Sequence, residues 1–418
     1  MVFRLNLRLL FAGIAVIALS FLLNGCGGGG AAADPPVGGI VATPGAGKVT
    51  ITWNASPGVD YWLVYAAAPS ISATPSPTIN HVWASKVSSP YVITGLANGV
   101  TYAFAMNGRT SGGPGGASTP SASATPRPAG ASWVLDTTTA GAQMGSNAMT
   151  GIAFDGGASF ISVGSNGSIY KGAVGATSGI IWAAASPASV GFNGVTYSNA
   201  TDGFVAVGAG GYCQGTDLAT PTCTSTSQTW NAVASNGTQT VMVGNGGNIL
   251  HSDSPGGVWT VGSGAAGNLN GLAYVGTNWI AVASSGAIYK SSDGNTWTAA
   301  TVTGSPGGAL KGIAAYGNTA IAVGTGGTVV TSTDAGLTWT VQAAIAGAPV
   351  LNAVNVSYDQ ILVVANGGNV YTSPLLSVPA WATVSSASTR TTNNLLAVFG
   401  SSSQYFAVGS AGTSIYAY

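Results

Sequence analysis

The stretch AIAVGTGGTVVTSTDAGLTW, residues 320–339, decides the fold because its pattern recurs through the second part of the chain. It contains the signature V-[GA]-x-x-G, which here runs from Val323 to Gly327. A glycine at the end of this signature, between two apolar runs, is typical of a tight hairpin that needs a positive φ. The signature begins at seven valines, 36 to 44 residues apart: Val163, Val207, Val243, Val282, Val323, Val364 and Val408.

Each repeat predicts four short antiparallel strands. An apolar segment precedes the signature, as in NGLAYVG at 270–276, and a strand such as AIYKSSD at 287–293 follows it. A further strand carries a tryptophan in six repeats: Trp182, Trp230, Trp259, Trp297, Trp339 and Trp381. Four strands in about forty residues are typical of a β-propeller blade, since blades bury their faces only against one another. We therefore predict a seven-bladed β-propeller over 131–418.

The two ends of this region are expected to pair. The seventh repeat ends at Tyr418 without a tryptophan strand, whereas SWVLDTT, around Trp133, lies ahead of the first repeat. This segment supplies the strand that the last blade lacks. Pairing between the first and last strands closes the ring and hides two sheet edges.

The turns before two tryptophans share a motif, S-x-D-x-G-x-T-W, with one residue fewer in the first copy. Its residues are Ser291, Asp293 and Trp297 in one copy and Ser332, Asp334, Gly336 and Trp339 in the other. The motif resembles the Asp-box of sialidase-like (BNR) propellers, and the repeats are similar to those of the photosystem II stability and assembly factor. This resemblance implies a structural role, in which the aspartate accepts hydrogen bonds from turn amides and the tryptophan packs between sheets.

The composition excludes several kinds of chemistry. The chain has 418 residues, ten basic and ten acidic, and all ten acids are aspartates. So few basic residues cannot form the footprint of a nucleic-acid binder. The sialidase activity of the resembled family uses three arginines and a glutamate, but the propeller has only Arg390 and no glutamate. We predict no catalytic residues, no cofactor and no metal site, with a glycosidase built on two aspartates as the alternative.

Residues 37–128 predict a smaller β-sandwich and its linker. Short period-two strands such as VTITW, which ends at Trp53, alternate with turns. The stretch GLANGVTY, which ends at Tyr102, resembles the tyrosine corner of fibronectin type III domains. This resemblance implies a spacer or docking module. His81, in the middle of the domain, is interpreted as a packing or surface residue.

The N-terminus predicts export and lipid attachment. Arg4 and Arg8 precede an apolar run too short to span a membrane comfortably, so 1–25 is predicted to be a signal peptide. The run ends in Leu-Asn-Gly-Cys, which resembles a bacterial lipobox and implies that Cys26 carries lipid. Glycines and small residues at 26–36 predict a flexible tether. Since Gly27 is not the aspartate that commonly retains lipoproteins in the inner membrane, we expect the outer membrane.

Two further sequence predictions concern cysteine and histidine. Cys213 and Cys223 remain after lipidation and are predicted to form a disulfide, which persists in exported proteins. Cys223 is expected in an enlarged loop that leads to Trp230. His251 aligns with Lys171, Lys290 and Thr331 in other repeats, which predicts an outward-facing, solvated side chain.

Together these patterns predict a membrane-anchored, non-catalytic scaffold whose propeller binds a protein partner of the cell envelope or exterior. A neutral glycan is the other expected ligand class. The alternative is a carbohydrate-binding or glycoside hydrolase-like surface protein. Propellers bind with the loops at one end of their axis, and here those loops are rich in Asn, Ser and Thr.

Overall fold

The computed structural model is all-β, which confirms the predicted fold class. The predicted signal peptide, Cys26, His81 and most of the predicted tether lie outside the residues that it describes. The chain forms two compact units, and the second contains everything from Gly130 onward. Within the described residues, no helix is both long and apolar enough to cross a membrane. The structure describes residues 32–33, 35–36, 38–45, 47–68, 70, 82–110, 118–126, 130, 133–135, 144–157, 159–174, 180–185, 188–200, 203–253, 258–347, 349–357, 360–375, 378–384, 389–401 and 404–417.

The first unit is a two-layer sandwich. Its strands are β1 Ala32–Ala33, β2 Val41–Gly45, β3 Lys48–Thr52, β4 Asp60–Ala66, β5 Val82–Ser85, β6 Tyr91–Thr94, β7 Tyr102–Arg109 and β8 Ala122–Ala124. One sheet has the order β2-β3-β6, and the other has the order β1-β7-β4-β5 with β8 also on β7. Ile51, Leu63 and Phe104 are fully buried in one cluster formed by both sheets. Alternating apolar residues therefore bring the two layers together.

Two aromatic residues fix the packing of this sandwich. Trp53 packs edge-on against Tyr61, with ring centroids 5.7 Å apart. The Tyr102 hydroxyl accepts a hydrogen bond of 3.1 Å from the backbone N–H of Ala97. This contact holds the turn before β7 against the start of that strand. The fibronectin type III assignment of 37–128 stays a prediction.

The second unit consists almost entirely of short antiparallel strands. They are β9 Val134–Leu135, β10 Met149–Phe154, β11 Phe160–Gly164, β12 Ile169–Val174, β13 Ile180–Ala184, β14 Gly191–Ser198, β15 Gly203–Gly215, β16 Thr222–Ser235, β17 Thr240–Gly244, β18 Ile249–Ser252, β19 Thr260–Val261, β20 Leu269–Val275, β21 Asn278–Ala283, β22 Ile288–Ser291, β23 Thr298–Ala299, β24 Thr301–Thr303, β25 Leu310–Tyr316, β26 Thr319–Gly324, β27 Val329–Ser332, β28 Thr338–Val341, β29 Leu351–Val356, β30 Gln360–Ala365, β31 Val370–Pro374, β32 Ala382–Val384, β33 Leu395–Ser401, β34 Gln404–Gly409 and β35 Ser414–Ala417. Single 3-10 turns occupy Asn245–Gly247, Thr325–Gly327, Asn366–Gly368 and Ser410–Gly412.

These strands form a closed ring of blades. Seven innermost strands, β10, β14, the second half of β16, β20, β25, β29 and β33, each contact the next, and β33 contacts β10. Each begins a blade that continues outward, as in the sheet order β20-β21-β22-β23. The described residues therefore form a seven-bladed β-propeller, as the sequence predicts.

The second and third blades share a strand, and here one expectation was wrong. Trp230 was expected on the outermost strand of the second blade. Instead, it opens the innermost strand of the third blade, where it pairs with Gly244. The long strand β16 explains the difference, because its first part pairs with β15 and its second part with β17. Trp230 thus takes the position that Met149 has in the first blade.

Trp133 lies directly before the strand that closes the ring. The following residues of β9 pair antiparallel with Ile415 and Tyr416 of β35. The indole N–H of Trp133 donates to the carbonyl oxygen of Gly130 at 2.8 Å, and Trp339 makes the same bond, at 3.0 Å, with the carbonyl of Gly336. Both glycines have a positive φ, 106° and 78°. The closing strand is therefore preceded by the same hydrogen bond between tryptophan and glycine as the fourth strand of an Asp-box blade.

The hairpin glycines have the predicted positive φ, and lack of space for a side chain is a second reason why glycine is required at these positions. The φ of Gly247 is 78°, and that of Gly327 is 70°. A Cβ on either residue would lie 2.5–2.6 Å from the carbonyl oxygen of Ala265 or Ile345. A side chain would therefore collide with the connection to the next blade, as well as straining the hairpin.

Candidate functional site

A bulge at the start of every innermost strand builds the candidate site. In the fourth blade, Leu269 pairs with Ala283 and Gly271 pairs with Val282, so Asn270 between them has no partner in the sheet. The same register shift occurs in all seven blades. We call the seven bulged residues the mouth ring: Thr150, Asn193, Asn231, Asn270, Lys311, Asn352 and Leu396.

Five members of the mouth ring donate a hydrogen bond to the next blade. The acceptor is the carbonyl oxygen of the residue directly before the ring member of the neighbouring blade. The innermost strand of each blade is a sheet edge that faces the propeller axis. Its backbone N–H and C=O groups on that edge therefore need hydrogen-bond partners other than a neighbouring strand. The mouth ring supplies such partners from blade to blade. The bonds are Thr150 to Phe192 (2.8 Å), Asn193 to Trp230 (2.9 Å), Asn231 to Leu269 (2.9 Å), Asn270 to Leu310 (2.7 Å) and Asn352 to Leu395 (2.8 Å).

The residue after each ring member is glycine or alanine because adjacent innermost strands approach closely at this level. A Cβ on Gly312 would lie 3.1 Å from both the Cα of Ala353 and the carbonyl oxygen of Asn352. A Cβ on Gly271 would lie 3.0 Å from the carbonyl oxygen of Lys311. The small residues therefore let the strands come near enough for the ring bonds to form.

A second set of bonds places the mouth ring at one end of the propeller. Asn231 donates its other amide hydrogen to the Asn245 side chain, and Asn270 donates its own to Ser284, both at 2.8 Å. Asn245 and Ser284 lie in the hairpins that follow the second strand of their blades. With both amide hydrogens of Asn231 and of Asn270 in use, the orientation of these side chains is fixed. Their Oδ1 atoms accept no hydrogen bond from the described residues.

Lys311 is the cationic member of the ring. Its Nζ donates to the side-chain oxygen of Asn352 at 2.7 Å. The Lys311 side chain is half-buried, and this burial lowers the pKa of its amine. Among the described residues, no carboxylate lies within ion-pair distance of Lys311. One ring position therefore holds a partly desolvated charge that has no counter-ion among the described residues.

Leu396 is the apolar member of the ring. Its side chain cannot donate a hydrogen bond, so the polar linkage around the ring stops at the seventh blade. This blade is also the one completed by the closing strand β9. The ring therefore has three different parts: an amide-rich arc, one ammonium group and one apolar position.

The first Asp-box lies at the opposite end of the propeller. Asp293 Oδ1 accepts hydrogen bonds from the backbone N–H groups of Asn295 and Thr296, at 2.9 and 2.8 Å, and from the Ser291 hydroxyl. The Thr296 bond is the main reason that the pKa of Asp293 is lowered. Trp297, 2% exposed, donates its indole N–H to the carbonyl oxygen of Gly294. The aspartate thus satisfies the turn amides.

The second Asp-box has similar geometry. Desolvation raises the pKa of Asp334, but hydrogen bonds from Thr338 and Ser332 outweigh it, so the net pKa is lowered. Thr338 donates from both its N–H and its hydroxyl, at 3.0 and 2.6 Å. Gly336 donates its N–H to the Ser332 hydroxyl at 3.0 Å, and Trp339 is buried. In both boxes the aspartate carboxylate forms its hydrogen bonds with groups of its own turn.

Asp-box turns also contact the preceding blade. Asn278, in the fourth blade, donates to the carbonyl oxygen of Ala335 in the fifth at 3.1 Å. Gln239, in the third blade, donates to the carbonyl oxygen of Asp293 in the fourth at 2.8 Å. These bonds link neighbouring blades at the end opposite the mouth ring, so each box is a structural element of the ring.

Cys213 and Cys223 form a disulfide between paired positions of β15 and β16. Cys213 is fully buried beside Phe204 and Ala206, whereas Cys223 is exposed. Cys223 was expected in an enlarged loop but lies in the strand that follows it. The bond therefore braces the outer hairpin of the second blade rather than a free loop.

The structure corrects the interpretation of His251. Its side chain was expected to be solvated but is only 7% exposed. Its Nδ1 lies 3.4 Å from the carboxylate of Asp253, and Nε2 has no partner among the described residues. Gln239 contacts both Asp253 and the Asp293 turn. His251 lies two residues after Ile249 on β18, and Ile249 packs with side chains of the fourth blade. His251 is therefore on the strand face that the fourth blade covers, a face that is open in an isolated repeat.

The described aspartates of the propeller do not form a shared acidic site. Asp155 accepts hydrogen bonds from the amides of its own turn, and Asp217 is bonded to Ala219 and Lys171. In the described part of the chain, no cluster of three or more His, Cys or Asp side chains could hold a metal ion. Three further aspartates lie outside the described residues: Asp136, Asp202 and Asp359.

Comparison with solved structures supports the propeller fold. YCF48 from Cyanidioschyzon merolae aligns with a TM-score of 0.53 and 15% identity, over 68% of this chain and 98% of that one. A structure described as YCF48 bound to D1 peptide aligns with a TM-score of 0.51 and 14% identity, over 68% and 93% of the two chains. No protein-family model and no curated protein matches the chain. At this identity the likeness shows the fold.

Sequence analysis missed the mouth ring, although a signal for it is present. An apolar residue, then a polar one, then glycine or alanine precedes most of the V-[GA]-x-x-G signatures, as in Leu269-Asn270-Gly271. Within one repeat this triplet indicates only the start of an apolar strand. The acceptor of the polar side chain lies in the neighbouring blade, so its role as a link between blades is visible only in the assembled ring.

Proposed function

We propose that this chain is an exported, non-catalytic binding protein whose propeller engages a polypeptide partner at the mouth ring. The observation that carries the proposal is the ring itself, where seven bulged residues meet at one end of the closed propeller. Most of them are neutral hydrogen-bonding side chains held in fixed orientation. A preorganised polar surface of this kind suits hydrogen-bonded recognition, because little side-chain entropy is lost on binding.

Three other observations support a binding role. The described aspartates each serve a local turn, an ion pair or the contact with His251, which leaves them poorly placed for paired acid-base chemistry. A protein of the same fold, YCF48, has been described in complex with a peptide. The surface is nearly free of charge, which favours hydrogen bonding over ionic attraction.

Membrane attachment through Cys26, with the outer membrane as destination, belongs to the same proposal. The sequence motif around Cys26 supports it, and lipid chains buried in a bilayer give lasting attachment. Mass spectrometry of the N-terminal peptide of the mature protein should show Cys26 as the first residue with lipid attached to it. A mature N-terminal peptide without lipid on Cys26 would contradict the anchor.

The binding face can be tested with a matched pair of positions in the fourth blade. Ser285 and Thr277 are both exposed and lie in the turns at opposite ends of β21, Ser285 at the mouth-ring end. A photo-crosslinking residue at either position would be activated in cells that express the full chain. We expect a defined polypeptide adduct from position 285 and not from position 277. Adducts only from position 277 would place binding at the Asp-box end and overturn the proposal.

A further inference from the structure

Neighbouring blades contribute mouth-ring side chains that differ in hydrogen-bonding character and charge. Asn231 and Asn270 use both amide hydrogens on the protein and Asn193 uses one, and all three leave their Oδ1 atoms without a donor among the described residues. The next blade contributes Lys311, which has three N–H groups and uses one of them on Asn352. Three hydrogen-bond acceptors are therefore followed, in ring order, by a cationic donor.

Asparagine at this ring position already forms the link between blades. Asn231, Asn270 and Asn352 each reach the next innermost strand through an amide hydrogen. Lys311 also reaches the next blade, through the side-chain oxygen of Asn352 instead of a backbone carbonyl, so a link between blades at this position does not itself require a charge. An ammonium group that loses part of its hydration without gaining a counter-ion costs stability. The chain has only five lysines, and one of them occupies this costly position. A ligand that neutralises the ammonium group would offset the cost.

From this arrangement, and resting on the proposed function, we infer that Lys311 binds a carboxylate of the polypeptide partner while Asn193, Asn231 and Asn270 accept hydrogen bonds from the partner's backbone N–H groups. A peptide offers N–H donors beside a carboxylate, which complements the order of groups in the ring. A phosphate presents mainly acceptor oxygens at neutral pH, and these would meet the amide oxygens unfavourably. A neutral glycan would leave the ammonium group without a counter-ion.

Lysine-selective NMR on the full chain in detergent tests this inference directly. The five lysines give five side-chain signals, and Lys171 and Lys290, on other strands of the propeller, serve as internal controls. The probes are N-acetyl-trialanine, its C-terminal amide, and N-acetyl-glutamate N-methylamide. We expect both acids to shift the Lys311 signal in a saturable way and the amide to leave it in place. A response to only one acid would identify the source as an α-carboxylate or a side-chain carboxylate.

Three results would overturn the inference. The first is that neither acid moves the Lys311 signal. The second is that the amide moves it as much as the acids do, and the third is that Lys171 and Lys290 respond equally. Inorganic phosphate provides a further comparison, and a shift with phosphate but with neither acid would also contradict a carboxylate site.

The variant Lys311→Asn separates this inference from the proposed function. Asparagine occupies the same position in four other blades, so the variant keeps a residue able to link the blades and removes the charge. We expect thermal stability at least equal to that of the unchanged protein, because a charge without a counter-ion is removed. We also expect a roughly tenfold lower yield of the position-285 adduct, as for loss of one charged contact. If the adduct forms in full yield, partner binding stands and the carboxylate site fails. If no adduct forms even with Lys311 present, the NMR shifts alone decide on the site.

Discussion

Asn231 of the third blade and Leu269 of the fourth are joined by a hydrogen bond of 2.9 Å from the side-chain amide to the backbone carbonyl oxygen. The same amide also reaches Asn245 in a hairpin of its own blade. Asn231 thus links the inner edge of one blade to the next and fixes the hairpin at the mouth. Because the bond repeats around the ring, the candidate binding surface is also part of what holds the blades together.

Replacing Asn231 by Ala should destabilise the propeller. The change removes both bonds and leaves the Leu269 carbonyl oxygen without this donor, a loss of about 1–3 kcal/mol in the free energy of unfolding. Urea unfolding followed by tryptophan fluorescence would measure it. Asn248→Ala is the matched control, since the Asn248 side chain bonds only to the carbonyl oxygen of Asn245 in its own turn. Equal losses for the two variants would show that the link between blades contributes no more stability than a hydrogen bond within one turn.

Trp133 should contribute as much to the propeller as the tryptophan of an internal blade. It is 2% exposed, Trp339 is 1% exposed, and both donate an indole hydrogen bond to a carbonyl oxygen three residues earlier. We expect Trp133→Ala and Trp339→Ala each to lower the free energy of unfolding by about 3–5 kcal/mol. Denaturant titration of the two variants would compare them. A loss under 1 kcal/mol for Trp133→Ala alone would mean that ring closure does not depend on this side chain.

Reduction of the Cys213–Cys223 disulfide should lower stability modestly. The two cysteines are ten residues apart, and closing so short a loop is worth about 2–3 kcal/mol in the chain-entropy picture. Thermal unfolding with and without a reductant would show a lower midpoint for the reduced protein. The variant Cys213→Ala/Cys223→Ser should not respond to the reductant. A response in that variant would mean that the reductant acts elsewhere.

The Asp-box aspartates should make stability depend on pH in the acid range. The pKa values of Asp293 and Asp334 are lowered in the folded protein, so their ionised forms add stability above the unfolded pKa of about 3.9. This stability is lost as pH falls through the lowered folded values. The double variant Asp293→Asn/Asp334→Asn should therefore be less stable than the unchanged protein near pH 7 and differ less below pH 4. Urea midpoints across this range would measure it, and a constant difference would contradict the linkage.

The sequence alone determined the repeat and hence the blades. A glycine such as Gly327, which needs a positive φ wherever two strands reverse tightly, marks each hairpin regardless of what packs around it. The Asp-box is equally local, because Ser332, Asp334 and Trp339 satisfy their own turn. The closure of the ring followed from a count of strands, because the last repeat lacks a tryptophan strand and the segment around Trp133 supplies one.

The tertiary structure alone decided whatever depends on a neighbouring blade. His251 is buried although its own repeat leaves this position open. Trp230 lies in the third blade and not, as expected, in the second, because β16 continues from one blade into the next. The mouth ring follows the same rule. Asn231 finds its acceptor 38 residues along the chain, on a strand that comes near only when the ring is assembled. Local propensity specified each blade, whereas the partners of the mouth-ring side chains follow from closure of the ring.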